Sequence, residues 1–411
     1  MKRTIILFLC AASSFISAAQ RNNLDFYVNQ AISNSPLLKD YNNQVLAFSL
    51  DSQIIRAGLR PQVNGISNNS YAPIINEWGY DEVITNGQQV SGIVQVSKSF
   101  LSSKTLASQV ANLQLQSRAI ANTSRISQQD LIRSITDQYI LVYGEQLQLD
   151  FNRNIVTRLQ MGDTILKRLT RDNVYKQSEY LVYAVTLQQQ QLTTAQLEVQ
   201  YVFDYAGLNY LAGIVDTTIV RLEDPRLNSN AFADFTHSVF YLQFVLDSLK
   251  LANDRRLVEM SYRPKINAYA DAGYNSSLVY KPYKNFGASV GVTLNIPIYD
   301  GRQRKLQYAK IDLQEQTRTY KRDFFLRQHD QQIMQLMQQL NATGRLIDQI
   351  DKQIRYTETL ITVNEKLLAT GDIRLVDFII TLDNYVTAKN LLTQNYISRL
   401  KIINQLNYWS R

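Results

Sequence analysis

The most constraining feature of this chain is a strict alternation of residue types between positions 286 and 298. Large apolar residues occupy every second position, and small or polar residues occupy the positions between them. The apolar set is Phe286, Ala288, Val290, Val292, Leu294, Ile296 and Ile298. Successive side chains of a β-strand point to opposite faces, and a strand that separates lipid from water alternates in this way. We predict a membrane-facing strand from Phe286 to Ile298.

A long helix is predicted directly after this strand. From Asp300 onward the apolar residues recur at spacings of three and four, and no proline occurs before Arg411. One apolar stripe consists of Ile347, Ile350, Ile354, Thr357, Ile361, Asn364 and Leu368. A second stripe consists of Leu346, Leu360, Val363 and Leu367. Two stripes on one helix indicate two helix neighbours.

The chain also contains an internal repeat. Leu208-Asn209-Tyr210 recurs as Leu406-Asn407-Tyr408, an offset of 198 residues, and Arg60-Pro61 recurs as Arg263-Pro264, an offset of 203. The difference falls in the loops between strands, where a change in length costs little. We predict two copies of one unit: a short helix, a strand pair, a long helix and a shorter returning helix. The expected boundaries are residues 20–213 for the first copy, 214–234 for a linker, and 235–411 for the second copy.

The N-terminus has the composition of a signal peptide. Lys2 and Arg3 precede an apolar stretch, and Ser17 and Ala19 have the spacing of a signal-peptidase site. We expect residues 1–19 to be removed and the mature protein to be exported.

Composition excludes several functions for the mature chain. Cys10, the single cysteine, lies within the expected signal peptide, so disulfides, thiol catalysis and cysteine metal sites are excluded. The net charge of +8 falls to +6 when Lys2 and Arg3 leave. The remaining basic residues are spread along the helices, which is typical of solvated helix faces and argues against nucleic-acid binding.

Motifs that carry chemistry are absent from the sequence. Its two histidines, His237 and His329, have no histidine or cysteine partner at ligand spacing, and we interpret His329 as an ordinary surface residue. Neither a phosphate-binding glycine loop nor a Gly-x-Ser-x-Gly elbow occurs. We expect no active site, no metal, no cofactor and no enzymatic activity.

The number of strands predicts an assembly of several chains. Four segments have strand patterns: Pro61–Tyr71, Val90–Leu101, Pro264–Tyr274 and Phe286–Ile298. The first has the weakest pattern, because Gly65, Ser67 and Asn69 occupy its apolar face. Four strands cannot close a barrel, and open strand edges are not tolerated in lipid. Several chains must therefore share one barrel.

The chain resembles the TolC-like outer-membrane efflux proteins. The resemblance rests on the order of four weak motifs together with the duplication: Leu24-Asp25-Phe26 leading to Asn34-Ser35-Pro36, the Arg-Pro strand starts, Ile296-Pro297-Ile298-Tyr299-Asp300-Gly301, and Thr370-Gly371-Asp372 with Asp377. It implies an α+β membrane protein whose four strands per chain contribute to a 12-stranded barrel shared by a homotrimer. A long periplasmic α-helical coiled-coil tube would continue the barrel.

The same resemblance implies a function and partners. The protein would be a passive outer-membrane exit duct of a tripartite efflux pump or a type I secretion system. Its partners would be a periplasmic adaptor protein, an inner-membrane transporter and outer-membrane lipid. The cargo could be a drug, a metal ion or a polypeptide. The alternative that the residues leave open is an exported coiled-coil structural or adhesive protein without channel activity.

The expected gate and adaptor contact lies at the helix turns furthest from the strands. The candidate residues are Arg171, Asp172, Asn173, Gly371, Asp372, Arg374 and Asp377. Threefold symmetry would gather each acidic residue into a ring of three, which repels itself unless a cation or an arginine bridges it. Arg374 is the candidate bridge for Asp377. For Asp372 the alternative is a simple helix N-cap.

Overall fold

The structure, a computed structural model, describes residues 23–80, 87–229 and 235–410. The expected signal peptide, residues 1–19, lies outside the described residues. The chain divides into two compact units. The helical unit comprises residues up to 39, 124–239 and 324–411, and the strand unit comprises residues 40–123 and 240–323. Each unit therefore contains segments from both halves of the sequence.

The described residues of the first half form four helices and two strands. Helix α1 spans Leu24–Asn34, α2 spans Pro36–Ala57, α3 spans Ser103–Arg171 and α4 spans Gln177–Ala212. Strands β1 and β2 span Gln62–Tyr71 and Gln88–Phe100.

The second half has a similar order of elements. A short 3-10 helix at Phe235–His237 leads into α5, Val239–Ser261. Strand β3 spans Lys265–Ser276, a 3-10 turn spans Pro282–Lys284, and β4 spans Phe286–Asn295. Helices α6, Gln303–Thr370, and α7, Leu375–Trp409, complete the chain. Within the described residues, no helix combines the length and apolar character needed to cross a membrane.

The fourth strand is shorter than the sequence pattern predicted. Its last residue is Asn295, which pairs with Lys265, whereas the alternation continues to Ile298. The next pair would place Ile296 opposite Pro264, and Pro297 follows. Proline has no backbone N–H and cannot extend a ladder of hydrogen bonds. Pairing therefore stops where the prolines begin.

The four strands form one antiparallel sheet in the order β1-β2-β3-β4. The register places most apolar residues of the strands on one face, whereas Ile66, Ile93 and Tyr269 lie on the other. One row across the apolar face is Val63, Val96, Ala270 and Val290, and another row on it contains Phe100, Ile266 and Leu294. These side chains are not covered, since Val290 is 84% exposed and Val292 is 72% exposed.

The opposite face of the sheet is mainly polar. One row across it is Asn64, Gln95, Asp271 and Ser289. Ser289 donates a hydrogen bond of 2.8 Å to the carboxylate of Asp271. The sheet thus has one mainly apolar and one mainly polar face, the pattern of a sheet that lies between lipid and water.

The helical unit has a core built from the first stripe of α6. Ile350, Ile354, Ile361 and Leu368 are buried in one cluster with Leu159 and Leu166 of α3 and Leu375 and Phe378 of α7. The second stripe has no such cover. Leu346 is 41% exposed, Leu360 49%, Val363 46% and Leu367 36%.

Hydrogen bonds and an ion pair hold the segment after α4, residues 214–229, against α3. Residues 214–229 have no regular secondary structure. The backbone N–H of Leu222 donates to Oε1 of Gln146 at 2.8 Å, and Nε2 of Gln146 donates to the carbonyl of Leu222 at 3.1 Å. Arg221 forms an ion pair of 2.7 Å with Asp150. Residues 214–229 thus follow the surface of the helical unit.

Candidate functional site: the paired helix turns

The first turn, between α3 and α4, ends α3 with a Schellman motif. Asn173 has φ of 58°, the left-handed region that asparagine tolerates better than most residues. The N–H of Val174 donates to the carbonyl of Leu169 at 2.8 Å, and the N–H of Asn173 donates to that of Thr170 at 3.2 Å. These bonds satisfy carbonyls that would otherwise be orphaned at the end of a helix.

The second turn, between α6 and α7, repeats this geometry. Gly371 occupies the left-handed position with φ of 83°. The N–H of Asp372 donates to the carbonyl of Leu367 at 2.9 Å, and the N–H of Gly371 donates to that of Leu368 at 3.4 Å. Asn173 and Gly371, which are 198 residues apart in the sequence, thus occupy equivalent positions in the two turns.

A tyrosine joins the two turns. The hydroxyl of Tyr175 donates a hydrogen bond of 2.8 Å to the backbone carbonyl of Ile373. Burial raises the pKa of this hydroxyl, whose residue is only 7% exposed. The turns are also in van der Waals contact, since a Cβ atom added to Gly371 would lie 2.5 Å from Cγ1 of Val174. The absence of a side chain at Gly371 therefore allows the close approach.

Both returning helices start on a basic residue that contacts an acidic residue three positions later. Lys176 precedes α4, and its backbone N–H donates to Oε2 of Glu179 at 2.9 Å. Arg374 precedes α7, and its guanidinium donates to both carboxylate oxygens of Asp377, at 2.8 and 3.0 Å. The carboxylate raises the pKa of the Arg374 guanidinium. The predicted Arg374–Asp377 pair thus forms, within one chain.

The alternative prediction for Asp372, that it is the N-cap of the returning helix, is wrong. The N-cap of α7 is Arg374, and Asp372 belongs to the turn that ends α6. The reason is that the Schellman motif and Ile373 separate the two helices. Among the described residues, the side chains of Arg171, Asp172 and Asp372 form no hydrogen bond or ion pair. Three charged groups at the turns therefore have no hydrogen-bond or ion-pair partner within residues 23–80, 87–229 and 235–410.

The residues next to the second turn are anchored in the buried core of the helical unit. Leu375 is 1% exposed and Phe378 is 4% exposed, and both pack in the buried cluster of the helical unit. Each helical hairpin also has an internal polar link. The hydroxyl of Tyr183 donates to the carbonyl of Leu159 at 2.8 Å, and Nδ2 of Asn364 donates to Oγ1 of Thr381 at 2.9 Å.

A cleft of about 540 Å³ lies beside the first turn. Three cations line it, Lys167, Arg171 and Lys176, together with the carboxylate of Glu179. Lys167 is held by Asp163, at 2.7 Å, and Asp163 also accepts a hydrogen bond of 3.0 Å from the Tyr180 hydroxyl. The predominantly basic lining suits an acidic protein surface better than a small apolar ligand.

The sequence reasoning missed Tyr175, Val174 and the Lys176–Glu179 contact. The internal repeat could have indicated these residues. Applied to the turns, the offset of 198 residues pairs Tyr175 with Ile373, Lys176 with Arg374 and Glu179 with Asp377.

The structure corrects one sequence prediction about histidine. The side chain of His329 is only 10% exposed, and its ring stacks on Phe235 at a centroid distance of 3.8 Å. It is not a surface residue, because the rings of Phe235 and Trp409 pack against it, and Phe325 packs against both of those rings. Residues 23–80, 87–229 and 235–410 contain no cluster of three or more histidine, cysteine, aspartate or glutamate side chains that could hold a metal.

Comparison with known proteins identifies the fold. No protein-family model and no curated protein sequence matches the chain. Solved structures do match over nearly its whole length. The outer membrane protein VceC of Vibrio cholerae has a TM-score of 0.74 at 10% identity, over 94% of this chain and 96% of that one.

Two further structures agree with this result. The CmeC outer membrane channel of Campylobacter jejuni has a TM-score of 0.71 at 11% identity, over 94% of this chain and 85% of that one. The MtrE outer membrane channel of Neisseria gonorrhoeae, in its open state, has a TM-score of 0.70 at 11% identity, over 95% and 88%. The chain has the fold of the TolC-like outer-membrane channels.

Proposed function

We propose that this protein is an outer-membrane exit duct that conducts cargo passively as a homotrimer. The observation that carries the proposal is the sheet, whose apolar face is exposed and whose opposite face carries a row of polar side chains across all four strands. Within the described residues, β1 and β4 pair on one side only. Unpaired edges are not tolerated in lipid, so copies must join β4 to β1 until the barrel closes. Three copies supply twelve strands.

Helix surfaces in the strand unit support the same assembly. Leu46, Leu50 and Ile54 form an exposed stripe on α2, at 56, 57 and 65% exposure. Leu306 and Leu313 form one on α6, at 67 and 63% exposure. Helix α2 leads into β1, and α6 follows β4, so these helices flank the two free edges of the sheet. Joining β4 of one copy to β1 of the next brings the two stripes together and buries both.

Exposed apolar residues of the helical unit also support the assembly of several copies. The uncovered second stripe of α6 requires a neighbour that its own chain does not provide. Helix α4 carries a suitable stripe, since Leu181 is 55% exposed, Val185 65% and Leu192 55%. In a trimer the second stripe of α6 would pack against α4 of the next copy.

The paired turns are the proposed gate and the contact for a periplasmic adaptor. The side chains of Arg171, Asp172 and Asp372 have no partner in the part of the chain that the structure describes, so charged groups are available there for an adaptor or a neighbouring copy. We assign energy supply and cargo selection to an inner-membrane transporter, because the proposed duct offers generic polar groups. The same architecture serves a tripartite efflux pump or a type I secretion system.

The proposal is tested by assembly and conduction. The mature chain should require detergent for extraction, should cross-link as a trimer in the membrane, and should form ion-conducting channels in planar bilayers. Leu50→Gln combined with Leu313→Gln should reduce trimer yield, because both sides of the proposed seam become polar. The matched control is Gln44→Leu combined with Gln314→Leu, which changes neighbouring positions in the opposite sense.

A soluble monomer or dimer would refute the duct. That outcome would favour the exported coiled-coil structural or adhesive protein, in which the apolar face of the sheet packs against another protein in water.

A further inference from the structure

One end of the sheet carries a collar of basic side chains. Because the strands are antiparallel, the start of β1, the end of β2, the start of β3 and the end of β4 lie at the same end. The basic collar consists of Arg60, Lys98, Lys104, Lys265, Arg302 and Lys305, all exposed. Each lies within the strand unit, at or within a few residues of a strand end or at the start of the following helix.

These cations lack acidic partners. Among the described residues, no ion pair involves any of the six collar side chains. The acidic residue nearest the start of α6, Asp300, is already engaged. Its carboxylate accepts hydrogen bonds from the backbone N–H groups of Arg302, at 2.9 Å, and Arg304, at 2.8 Å. The carboxylate of Asp300 keeps its negative charge, but the six collar cations outnumber it and leave a surface of net positive charge.

Aromatic rings occur among the cations. Nζ of Lys98 lies 5.3 Å from the centre of the Phe100 ring. The guanidinium of Arg304 lies 5.6 Å from the rings of both Tyr262 and Tyr308. Tyrosines and basic side chains that lie together are typical of the boundary between a membrane and water, where rings reach the acyl region and cations reach headgroups.

The other end of the sheet has a different charge. Its described loop residues, 72–80 and 277–285, carry one acidic residue, Glu77, and two lysines, Lys281 and Lys284. The charge difference between the two ends follows the axis on which a membrane-spanning sheet would meet its two leaflets.

We propose that the basic collar binds the phosphate groups of anionic glycerophospholipids in the leaflet at that end of the sheet. The inference rests on the proposed membrane duct and adds a specific lipid partner. The positive charge of the six collar side chains is complementary to the negative charge of the lipid phosphate groups. Clusters of four to eight basic residues next to a membrane-embedded segment have this effect on anionic lipid. The collar would fix the depth of the sheet in the bilayer.

The test counts bound lipid on the full mature chain in detergent. Native mass spectrometry should detect phosphatidylglycerol bound to the oligomer in preference to phosphatidylcholine with the same acyl chains. The variant Lys98→Gln, Arg302→Gln, Lys305→Gln should weaken the apparent affinity for phosphatidylglycerol about 100-fold at low ionic strength, since three surface cations are lost. The control Lys281→Gln, Lys284→Gln, Lys310→Gln removes three cations elsewhere in the strand unit and should retain the preference.

Three outcomes would overturn the proposal. They are equal binding of the two lipids by the wild type, equal loss in both triple variants, and full displacement of phosphatidylglycerol by millimolar inorganic phosphate, which would indicate a free-anion site. Cross-linking and bilayer conductance of the same samples separate this result from the duct itself. A collar variant that remains a conducting trimer isolates the lipid effect, whereas a wild type that is neither trimeric nor conducting refutes the duct.

Discussion

The hydroxyl of Tyr175 reaches across 198 residues to the carbonyl of Ile373, at 2.8 Å. Because 198 is also the offset between the two sequence repeats, these residues occupy equivalent positions in the two helix turns. At this shared position, Tyr175 of the first turn donates through its side chain, and Ile373 of the second turn accepts through its backbone carbonyl. The bond therefore links the two turns directly.

Tyr175→Phe removes this bond without changing the shape of the ring. We expect a loss of about 1 kcal/mol in stability, because one buried hydrogen bond is lost and the carbonyl of Ile373 loses its partner. Hydrogen exchange at the turns should become faster than in the wild type. Tyr210→Phe is the control, since Tyr210 is 83% exposed. Equal exchange in the wild type and Tyr175→Phe would mean that the turns are held by other contacts.

Gly371→Ala should destabilise the second turn. The new Cβ would lie 2.5 Å from Cγ1 of Val174, on a residue with φ of +83°. The left-handed backbone alone costs a non-glycine residue about 1–2 kcal/mol. The midpoint of thermal unfolding should fall. Asn173→Gly, at the equivalent position of the first turn, should leave the midpoint unchanged or raise it, and a decrease as large as that of Gly371→Ala would contradict this account.

Arg374→Ser combined with Asp377→Ala removes the ion pair at the second turn. If the turns form the gate, single-channel conductance in bilayers should rise and cells should become sensitive to large antibiotics, with trimer yield unchanged. The control is Arg153→Ser combined with Glu198→Ala, which removes an exposed ion pair of 2.8 Å between α3 and α4. Unaltered conductance in well-folded trimers of the first variant would place the gate elsewhere.

Val290→Arg tests which face of the sheet meets lipid. Val290 lies on the apolar face and is 84% exposed. An arginine facing lipid costs about 2–4 kcal/mol at the bilayer midplane, so the variant should be depleted from the outer-membrane fraction. Ser289→Arg points to the opposite face, where Asp271 can pair with it, and should be recovered at the wild-type level. Depletion of Ser289→Arg alone would invert the two faces.

Glu145 should make stability depend on pH. Burial, followed by the neighbouring Asp204 carboxylate, raises the pKa of Glu145 from 4.5 to about 8, although Lys401 of α7 opposes the shift. The folded state then holds a proton that the unfolded state releases, so stability falls as pH rises from about 4.5 to about 8. Glu145→Gln should therefore raise the thermal midpoint more at pH 9 than at pH 5. Asp204→Asn should weaken the pH dependence of the wild type, and an equal effect of Glu145→Gln at both pH values would contradict the shift.

Local patterns in the sequence determined the elements and their faces. The alternation from Phe286 to Leu294 specified a strand with one apolar side, because side-chain direction in a strand depends only on position. The stripe from Ile350 to Leu368 specified the buried side of α6 for the same kind of reason. Asn173 and Gly371 marked the turns, because few residues adopt a left-handed backbone at low cost.

Contacts between distant residues were decided by the tertiary structure alone. The end of β4 at Asn295 depends on Pro264, which directly precedes the paired strand β3. The burial of His329 depends on Phe235 and Trp409, which no local pattern links to it. The bond from Tyr175 to Ile373 requires two hairpins to pack side by side. A local pattern fixes which way a residue points within its own element, whereas its partner depends on how elements far apart in sequence pack together.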